Sequence, residues 1–100
     1  MRETIYLVVD TVTIDYETTE QYYAFRNYDD AKANARKHID NALQMWRNSY
    51  DLVPSDKEEA KTTTGIIYEI DNDNTTLDLF LNGNAEQFSQ YIYIKQLELK

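Results

Sequence analysis

The chain has 100 residues, no cysteine and a formal net charge of −8 at pH 7. This length is enough for one hydrophobic core, so we expect a single domain over residues 1–100. The lack of cysteine excludes disulfides and thiolate zinc sites, and the negative charge disfavours direct contact with nucleic acid or with an anionic membrane surface.

The N-terminal segment carries no sign of export or of a membrane span. Its apolar run is interrupted by Asp10, and no small-residue cleavage site follows, so no signal peptide is predicted. Nowhere does the chain have the roughly 18 consecutive apolar residues that a membrane helix needs. We therefore expect a cytoplasmic protein that makes no membrane contact.

Residues 4–14 and 21–27 are predicted to form a β-hairpin, because both are rich in β-branched and aromatic residues and the polar segment 15–20 separates them. The apolar residues of the first strand change parity along it, from Ile5, Leu7 and Val9 to Val12 and Ile14. A bulge near Asp10 and Thr11 would return the last two to the core, and we predict one there.

A long helix is predicted to follow, because the apolar residues now recur at steps of three and four. These residues are Ala31, Ala35, Ile39, Ala42, Leu43, Trp46 and Tyr50. Asp29 is expected to be the N-cap, and Asp30 suits the positive end of the helix dipole. The small alanines would let the first half of the helix approach a sheet closely, while Trp46 fills a wider space.

Residues 51–64 connect the helix to the next strand and contain the chain's one proline, Pro54. Ser55 and Glu58 have the spacing of a capping box, which allows a short helical turn after Pro54. The mixed charges of this segment favour a solvated connection instead.

The last part of the chain is predicted to form three strands, with apolar residues alternating in GIIYEID, TTLDLFLN and YIYIKQLEL. The first two would form a hairpin with Tyr68 opposite Leu77 and Ile66 opposite Leu79, since that register places their apolar residues on one face. The predicted fold is therefore α+β in the order β-β-α-β-β-β, with one long helix packed on an antiparallel sheet of about five strands.

The stretch DNDN, residues 71–74, has two interpretations, a calcium loop or a turn. Asp71 and Asp73 fit the first two ligand positions of an EF-hand loop. The pattern then fails, because Thr76 stands where glycine is needed and Asn82 where the bidentate glutamate is needed. We predict a turn, since Asn and Asp tolerate left-handed backbone angles, and we expect no metal ligand.

No motif in the sequence predicts catalysis. His38 is the one histidine, and no glycine-framed nucleophile accompanies it, so a place at the edge of the core is favoured over a catalytic base. A pair of carboxylates would need a cleft to perturb their pKa values, and a chain this short has little room for one. We expect a non-enzymatic protein with no catalytic residue and no cofactor.

The sheet is predicted to have more apolar surface than one helix can cover. On the uncovered face we place Tyr6, Val8, Ile67 and Phe80, together with either the pair Tyr91 and Tyr93 or the pair Ile92 and Ile94. Such a face is typical of a protein interface. The favoured function is binding of another protein, or of a second copy in a homodimer, through this face.

An alternative function uses the acidity of the chain. An acidic surface can imitate nucleic acid and block a DNA-binding enzyme, as small inhibitors encoded by phages or mobile elements do. The residues that would form this surface are Asp15, Glu17, Glu20, Glu69, Asp71, Asp73 and Asp78. Association of this kind would weaken sharply with salt, in contrast to docking through an apolar face.

Overall fold

The computed structural model describes residues 3–50, 66–81 and 83–99. Five strands and one helix occupy them, in the order β1 (Glu3–Ile14), β2 (Glu17–Phe25), α1 (Tyr28–Tyr50), β3 (Ile66–Ile70), β4 (Leu77–Leu81) and β5 (Phe88–Leu99). The predicted α+β class and element order are confirmed. The segment after Pro54, where the sequence allows a short helical turn but favours a solvated connection, lies outside the described residues.

The five strands form one antiparallel sheet in the spatial order β2-β1-β5-β4-β3. Two hairpins, β1–β2 and β3–β4, therefore lie on opposite sides of β5. This strand pairs with β1 along all of its 12 residues and with β4 over a shorter length. The core lies between α1 and one side of this sheet.

The β1 strand runs without a bulge, so the bulge predicted near Asp10 and Thr11 is wrong. Its register with β2 is continuous from Tyr6 opposite Phe25 to Ile14 opposite Glu17, and its register with β5 is continuous as well. No bulge is needed, because the residues of β1 that face α1 are the even-numbered ones throughout. The even-numbered set includes Asp10, which is only 8% exposed.

The helix begins at Tyr28, two residues earlier than a cap at Asp29 would place it. Asn27 is the N-cap, since its Oδ1 accepts hydrogen bonds from the backbone N–H groups of Asp29 at 2.8 Å and Asp30 at 3.4 Å. The prediction of Asp29 as the cap is therefore wrong. Both aspartates lie in the first turn, where their charge complements the positive end of the helix dipole.

The predicted apolar stripe of the helix faces the sheet and forms the centre of the core. Its fully or almost fully buried residues are Ala31, Ala35, Ile39, Ala42 and Trp46, and Leu43 is partly buried. The helix packs against β1, β2 and β5. No helix in the described part of the chain combines the length and the apolar character needed to cross a bilayer.

The β3–β4 hairpin has the predicted face but a different register. Tyr68 lies opposite Leu79 rather than Leu77, and Ile66 lies opposite Leu81 rather than Leu79, so the pairing is shifted by two residues. The loop therefore spans residues 71–76, and Asn74 takes a left-handed φ of 59°.

The side chain of Asp71 explains this longer loop. Its Oδ1 accepts hydrogen bonds from the backbone N–H groups of Thr75 at 2.8 Å and Thr76 at 3.0 Å, and its Oδ2 accepts one from the Thr75 hydroxyl at 3.1 Å. The backbone N–H of Asp71 also donates to the carbonyl of Thr76 at 3.2 Å. These bonds give the polar groups of the loop partners within it, so a six-residue loop is stable without the tighter turn that the predicted register implied.

Candidate functional site

One side of the sheet faces away from α1, and we call this side the open face. Side chains alternate between the two sides along each strand, so the register decides which residues lie there. The apolar and aromatic residues of the open face are Ile5, Leu7 and Val9 of β1, Tyr22 and Ala24 of β2, Ile67 of β3, Phe80 of β4, and Tyr91, Tyr93 and Leu97 of β5.

Two tyrosines form the centre of the open face around a buried valine. Val9 lies directly opposite Tyr22 on β2 and opposite Tyr93 on β5. Val9 is only 3% exposed, whereas Tyr22 and Tyr93 are 54% and 41% exposed. The two rings thus shelter the aliphatic centre of this side and present their own surface outward.

A second apolar group lies towards the β3 edge of the open face. Ile67 and Phe80 are cross-strand partners, and both are half-buried. Tyr91, which is 37% exposed, lies on the neighbouring strand opposite Asp78. Of the four anchors expected from the sequence, Ile67 and Phe80 are therefore on the uncovered side, with the Tyr91 and Tyr93 pair.

The other two expected anchors, Tyr6 and Val8, are on the opposite side of the sheet, so their placement on the uncovered face is wrong. Val8 is fully buried in the core beneath the helix. The Tyr6 ring packs against Tyr28 of the helix, with ring centroids 5.1 Å apart. Apolar residues occur on both parities of β1, and the interpretation that Ile5, Leu7 and Val9 face the core placed Tyr6 and Val8 on the other side.

The seven residues of the alternative acidic surface fall into three places. Asp15 and Glu17 lie at the β1–β2 turn, and Asp71 and Asp73 lie in the β3–β4 loop. The register places the remaining three, Glu20, Asp78 and Glu69, in one row across the open face.

Two tyrosines of the open face interact with this acidic row. The Tyr22 hydroxyl donates a hydrogen bond to the Glu20 carboxylate, and this bond, with burial and the charge of Glu20, raises the pKa of Tyr22 above 10.0. Burial, and then the charge of Asp78, raises the pKa of Tyr91 above the same value. Both hydroxyls therefore stay protonated at neutral pH; the Tyr22 proton is used in the bond to Glu20, and the Tyr22 oxygen can still accept a hydrogen bond.

Beneath the helix, four polar side chains form what we call the buried polar chain: His38, Asp10, Gln90 and Trp46. His38 Nδ1 lies 2.9 Å from Asp10 Oδ2, and Gln90 Nε2 donates to Asp10 Oδ1 at 2.8 Å. Trp46 Nε1 donates to Gln90 Oε1 at 2.7 Å. The Tyr23 ring packs on the imidazole, with centroids 4.7 Å apart.

The buried polar chain joins α1 to β1 and β5. A carboxylate that orients a histidine is also found in catalytic sites, where the other imidazole nitrogen acts on a substrate or a nucleophile. Here the contacts have a structural explanation, because each member supplies a partner to a side chain that the core would otherwise leave unsatisfied. Among the described residues, no three His, Cys, Asp or Glu side chains are grouped to hold a metal ion.

Comparisons of the chain with protein-family models, with curated proteins and with solved structures found no match. The functional proposal therefore depends on the geometry of the open face.

The sequence contains a sign of the buried polar chain in the helix, which the alternation of residues along the strands does not reveal. His38 and Trp46 are eight positions apart, which places them on the same face of a helix as the apolar stripe. A tryptophan and a histidine on a buried helix face need polar partners on the facing sheet. Asp10 and Gln90 are candidates of the same parity as the core residues Val8 and Ile92.

Proposed function

We propose that the chain is a non-enzymatic protein-binding module that docks a partner protein through the open face. The observation that supports this proposal is the row of exposed aromatic rings, with Tyr22, Tyr91 and Tyr93 between 37% and 54% exposed on the side of the sheet opposite the helix. Tyrosine is enriched in interfaces because its ring buries a large area while its hydroxyl makes a directional hydrogen bond.

The arrangement of these residues suits an interface in two ways. The rings beside Val9 are held in place by a regular sheet, so little conformational freedom is lost when a partner orders them. The half-buried pair of Ile67 and Phe80 extends the apolar surface towards β3. A central aromatic cluster with adjoining aliphatic contacts is the usual composition of an interface hot spot.

We propose a different protein as the partner, rather than a second copy of this chain. Two copies would each carry a net charge of −8 and would repel one another during approach. A partner with an apolar centre and basic side chains around it would meet complementary charge, because Glu20 lies beside Tyr22 at one edge of the open face.

Site-specific photo-crosslinking tests this proposal. A benzoylphenylalanine at position 93, on the open face, should crosslink one defined protein in a lysate of the native cell. The same probe at position 16 is the control, since Tyr16 is 61% exposed but lies in the β1–β2 turn. The crosslinked species should vanish when unlabelled wild-type chain is added in excess.

Mutagenesis then distinguishes specific binding through the open face from non-specific binding. Tyr93→Ser should weaken binding to the crosslinked protein at least about tenfold, as expected for a hot-spot residue, while Tyr16→Ser leaves it unchanged. Crosslinks of equal yield from positions 93 and 16 would contradict the proposal. A crosslink to a second copy of the chain would show that the open face forms a homodimer, and the proposal of a different partner protein would be wrong.

The acidic inhibitor remains the second proposal, and salt distinguishes it from the first. If the acidic row and the two acidic loops bind a basic groove, the yield of partner should fall steeply from low to high salt. Docking through the tyrosines of the open face should depend on salt much less. Substituting Glu17 and Asp73 together by Gln and Asn should weaken binding by the acidic inhibitor and leave docking through the open face unchanged.

A further inference from the structure

A cleft of about 370 Å³ lies on the helix side of the sheet, away from the open face. It forms where the start of α1 meets the ends of β1 and β5 and the β3–β4 loop. The strands contribute Tyr6, Ile94 and Gln96, the helix contributes Tyr28, and the loop contributes the acidic residues Asp71 and Asp73. Its volume is within the range of small-molecule pockets, roughly 300–1,000 Å³.

Aromatic rings on two elements line the cleft. The rings of Tyr6 and Tyr28 are in tilted contact, with centroids 5.1 Å apart. The face of a tyrosine ring attracts cations, and the protein itself uses this property, since Lys32 Nζ lies 5.0 Å from the centroid of Tyr28. Lys32 also pairs with Asp29 at 3.3 Å, which holds this ammonium at the start of the helix.

The loop side of the cleft is fixed in place. Partial burial by itself would raise the pKa of Asp71, but the hydrogen bonds from Thr75 and Thr76 outweigh it and lower this pKa below 3.8. Arg36 anchors the loop at Asp73, because its Nε and Nη2 donate to the backbone carbonyl of Asp73 at 3.3 and 3.1 Å. These two arginine bonds leave the Asp73 carboxylate itself uncommitted within the described part of the chain.

We propose that this cleft binds a guanidinium group, carried either by an arginine side chain of a peptide or by a free small molecule. A guanidinium is planar, so it can lie on a tyrosine ring face that Lys32 does not occupy, while its N–H groups donate to the Asp73 carboxylate and to the side-chain oxygen of Gln96. An ammonium could satisfy the charge but not the flat contact with the ring. An anion would face two carboxylates, of Asp71 and Asp73, and their charge disfavours it.

NMR titration of the ¹⁵N-labelled chain with methylguanidinium tests the proposal. Methylurea is the control probe, because it has nearly the same shape as methylguanidinium but no charge. Methylguanidinium should shift the amide signals of Tyr28, Thr75, Thr76 and Gln96 in a saturable manner, and methylurea should not. Equal shifts with both probes, or shifts spread over the acidic residues of the whole surface, would overturn the proposal.

Two pairs of variants locate the site. Asp73→Asn should weaken methylguanidinium binding about three- to tenfold, the loss expected for one charge-assisted hydrogen bond in a partly solvated site. Asp30→Asn, in the same region but outside the cleft, should leave it unchanged. Tyr28→Leu should weaken binding and Tyr28→Phe should retain it. Preserved dispersion of the other amide signals verifies that each variant is folded.

A capped Ala-Arg-Ala peptide identifies the source of the group. Tighter binding of the peptide than of methylguanidinium indicates a protein ligand, and equal or weaker binding indicates a free molecule. Both results support a guanidinium site. If neither probe binds, or if Asp73→Asn and Asp30→Asn bind with the same affinity as the wild type, the cleft is not such a site.

Discussion

Removing the carboxylate of Asp10 should destabilise the fold strongly, because this group is the centre of the buried polar chain. It accepts a hydrogen bond from Gln90 and contacts His38, and the Asp10 residue is 8% exposed. In Asp10→Ala both partners lose their bond inside the core. A buried polar group without a partner costs about 1–3 kcal/mol, so two such groups cost about 2–6 kcal/mol.

The lower half of that range is the expected result. The His38 side chain is 18% exposed, so water can replace part of its lost bond, and we expect the free energy of unfolding to fall by about 2–4 kcal/mol. Domains of this size have a total stability of roughly 5–15 kcal/mol. The melting temperature should fall by about 8–32 °C, at roughly 4–8 °C per kcal/mol.

Urea unfolding measures this loss, followed by circular dichroism and by the fluorescence of Trp46, the chain's one tryptophan. Trp46 reports directly on the buried polar chain, since its indole N–H is the last donor in it. Asp40→Ala is the matched control, because Asp40 is exposed on the helix and its loss should change stability by no more than about 0.5 kcal/mol.

Asp10→Asn adds information about the histidine. The asparagine oxygen can still accept from Gln90, but its amide nitrogen can pair with His38 only if Nδ1 carries no proton. A loss close to that of Asp10→Ala would indicate that Nδ1 donates to Asp10. If Asp10→Ala were no less stable than Asp40→Ala, the buried polar chain would not stabilise the fold and the reasoning above would be wrong.

Three further predictions concern other parts of the structure. Trp46→Phe should lower the free energy of unfolding by about 1–3 kcal/mol, measured by circular dichroism in urea, because the Gln90 oxygen loses its donor. Asn27→Ala should lower the free energy of unfolding by about 0.5–2 kcal/mol, and by more than Asp29→Ala, because Asn27 is the N-cap. Equal losses for the two variants in thermal melts would contradict the assignment of Asn27 as the cap. The pKa of Asp71 is lowered in the folded state, so its ionised carboxylate stabilises the fold fully at pH values above the ordinary pKa of 3.8. This stabilisation is lost as the pH falls through the lower pKa of the folded state. In Asp71→Asn the free energy of unfolding, measured by urea titration at several pH values, should therefore depend less on pH in this acid range.

The element order could be predicted from the sequence because each element carries its own periodic signal. The alanines and Trp46 of the helix recur at a helical period over about four turns, and five strand segments alternate or are rich in β-branched residues. The shared face of the β3–β4 hairpin followed from parity in the same way. These signals are local, and local signals survive in the folded structure when packing agrees with them.

The features that could not be predicted depend on partners distant in sequence. Asp10 is buried because His38 and Gln90 satisfy it, and they lie 28 and 80 positions away. The sequence contains no local sign of those partners, and the apolar residues on both parities of β1 led to the wrong assignment of its two faces. The hairpin register was wrong by two residues for a related reason, since the Asp71 side chain closes a longer loop than its backbone alone would favour.

The candidate site was predicted only where parity was read correctly. Ile67 and Phe80 followed from the alternation in their own strands, and the register confirms that they share a side of the sheet. Tyr93 belonged to one of two alternative pairs for the uncovered face, and the register decides in its favour; Tyr22 was identified only by the three-dimensional pairing, in which both tyrosines flank Val9.

The position of β5 has a consequence for how the molecule assembles. The β1–β2 hairpin and the β3–β4 hairpin share no backbone hydrogen bond, since β5 lies between them in the sheet. Before Phe88 is added, α1 can pack on the β1–β2 hairpin, but the β3–β4 hairpin has no neighbouring strand, and an isolated two-stranded hairpin is only marginally stable in water. Cooperative folding therefore has to wait for the contact between β1 and β5, whose partners are as many as 96 positions apart, from Glu3 to Leu99. Contacts of this separation favour slow folding, and until they form, the unpaired edges of both hairpins are open to aggregation.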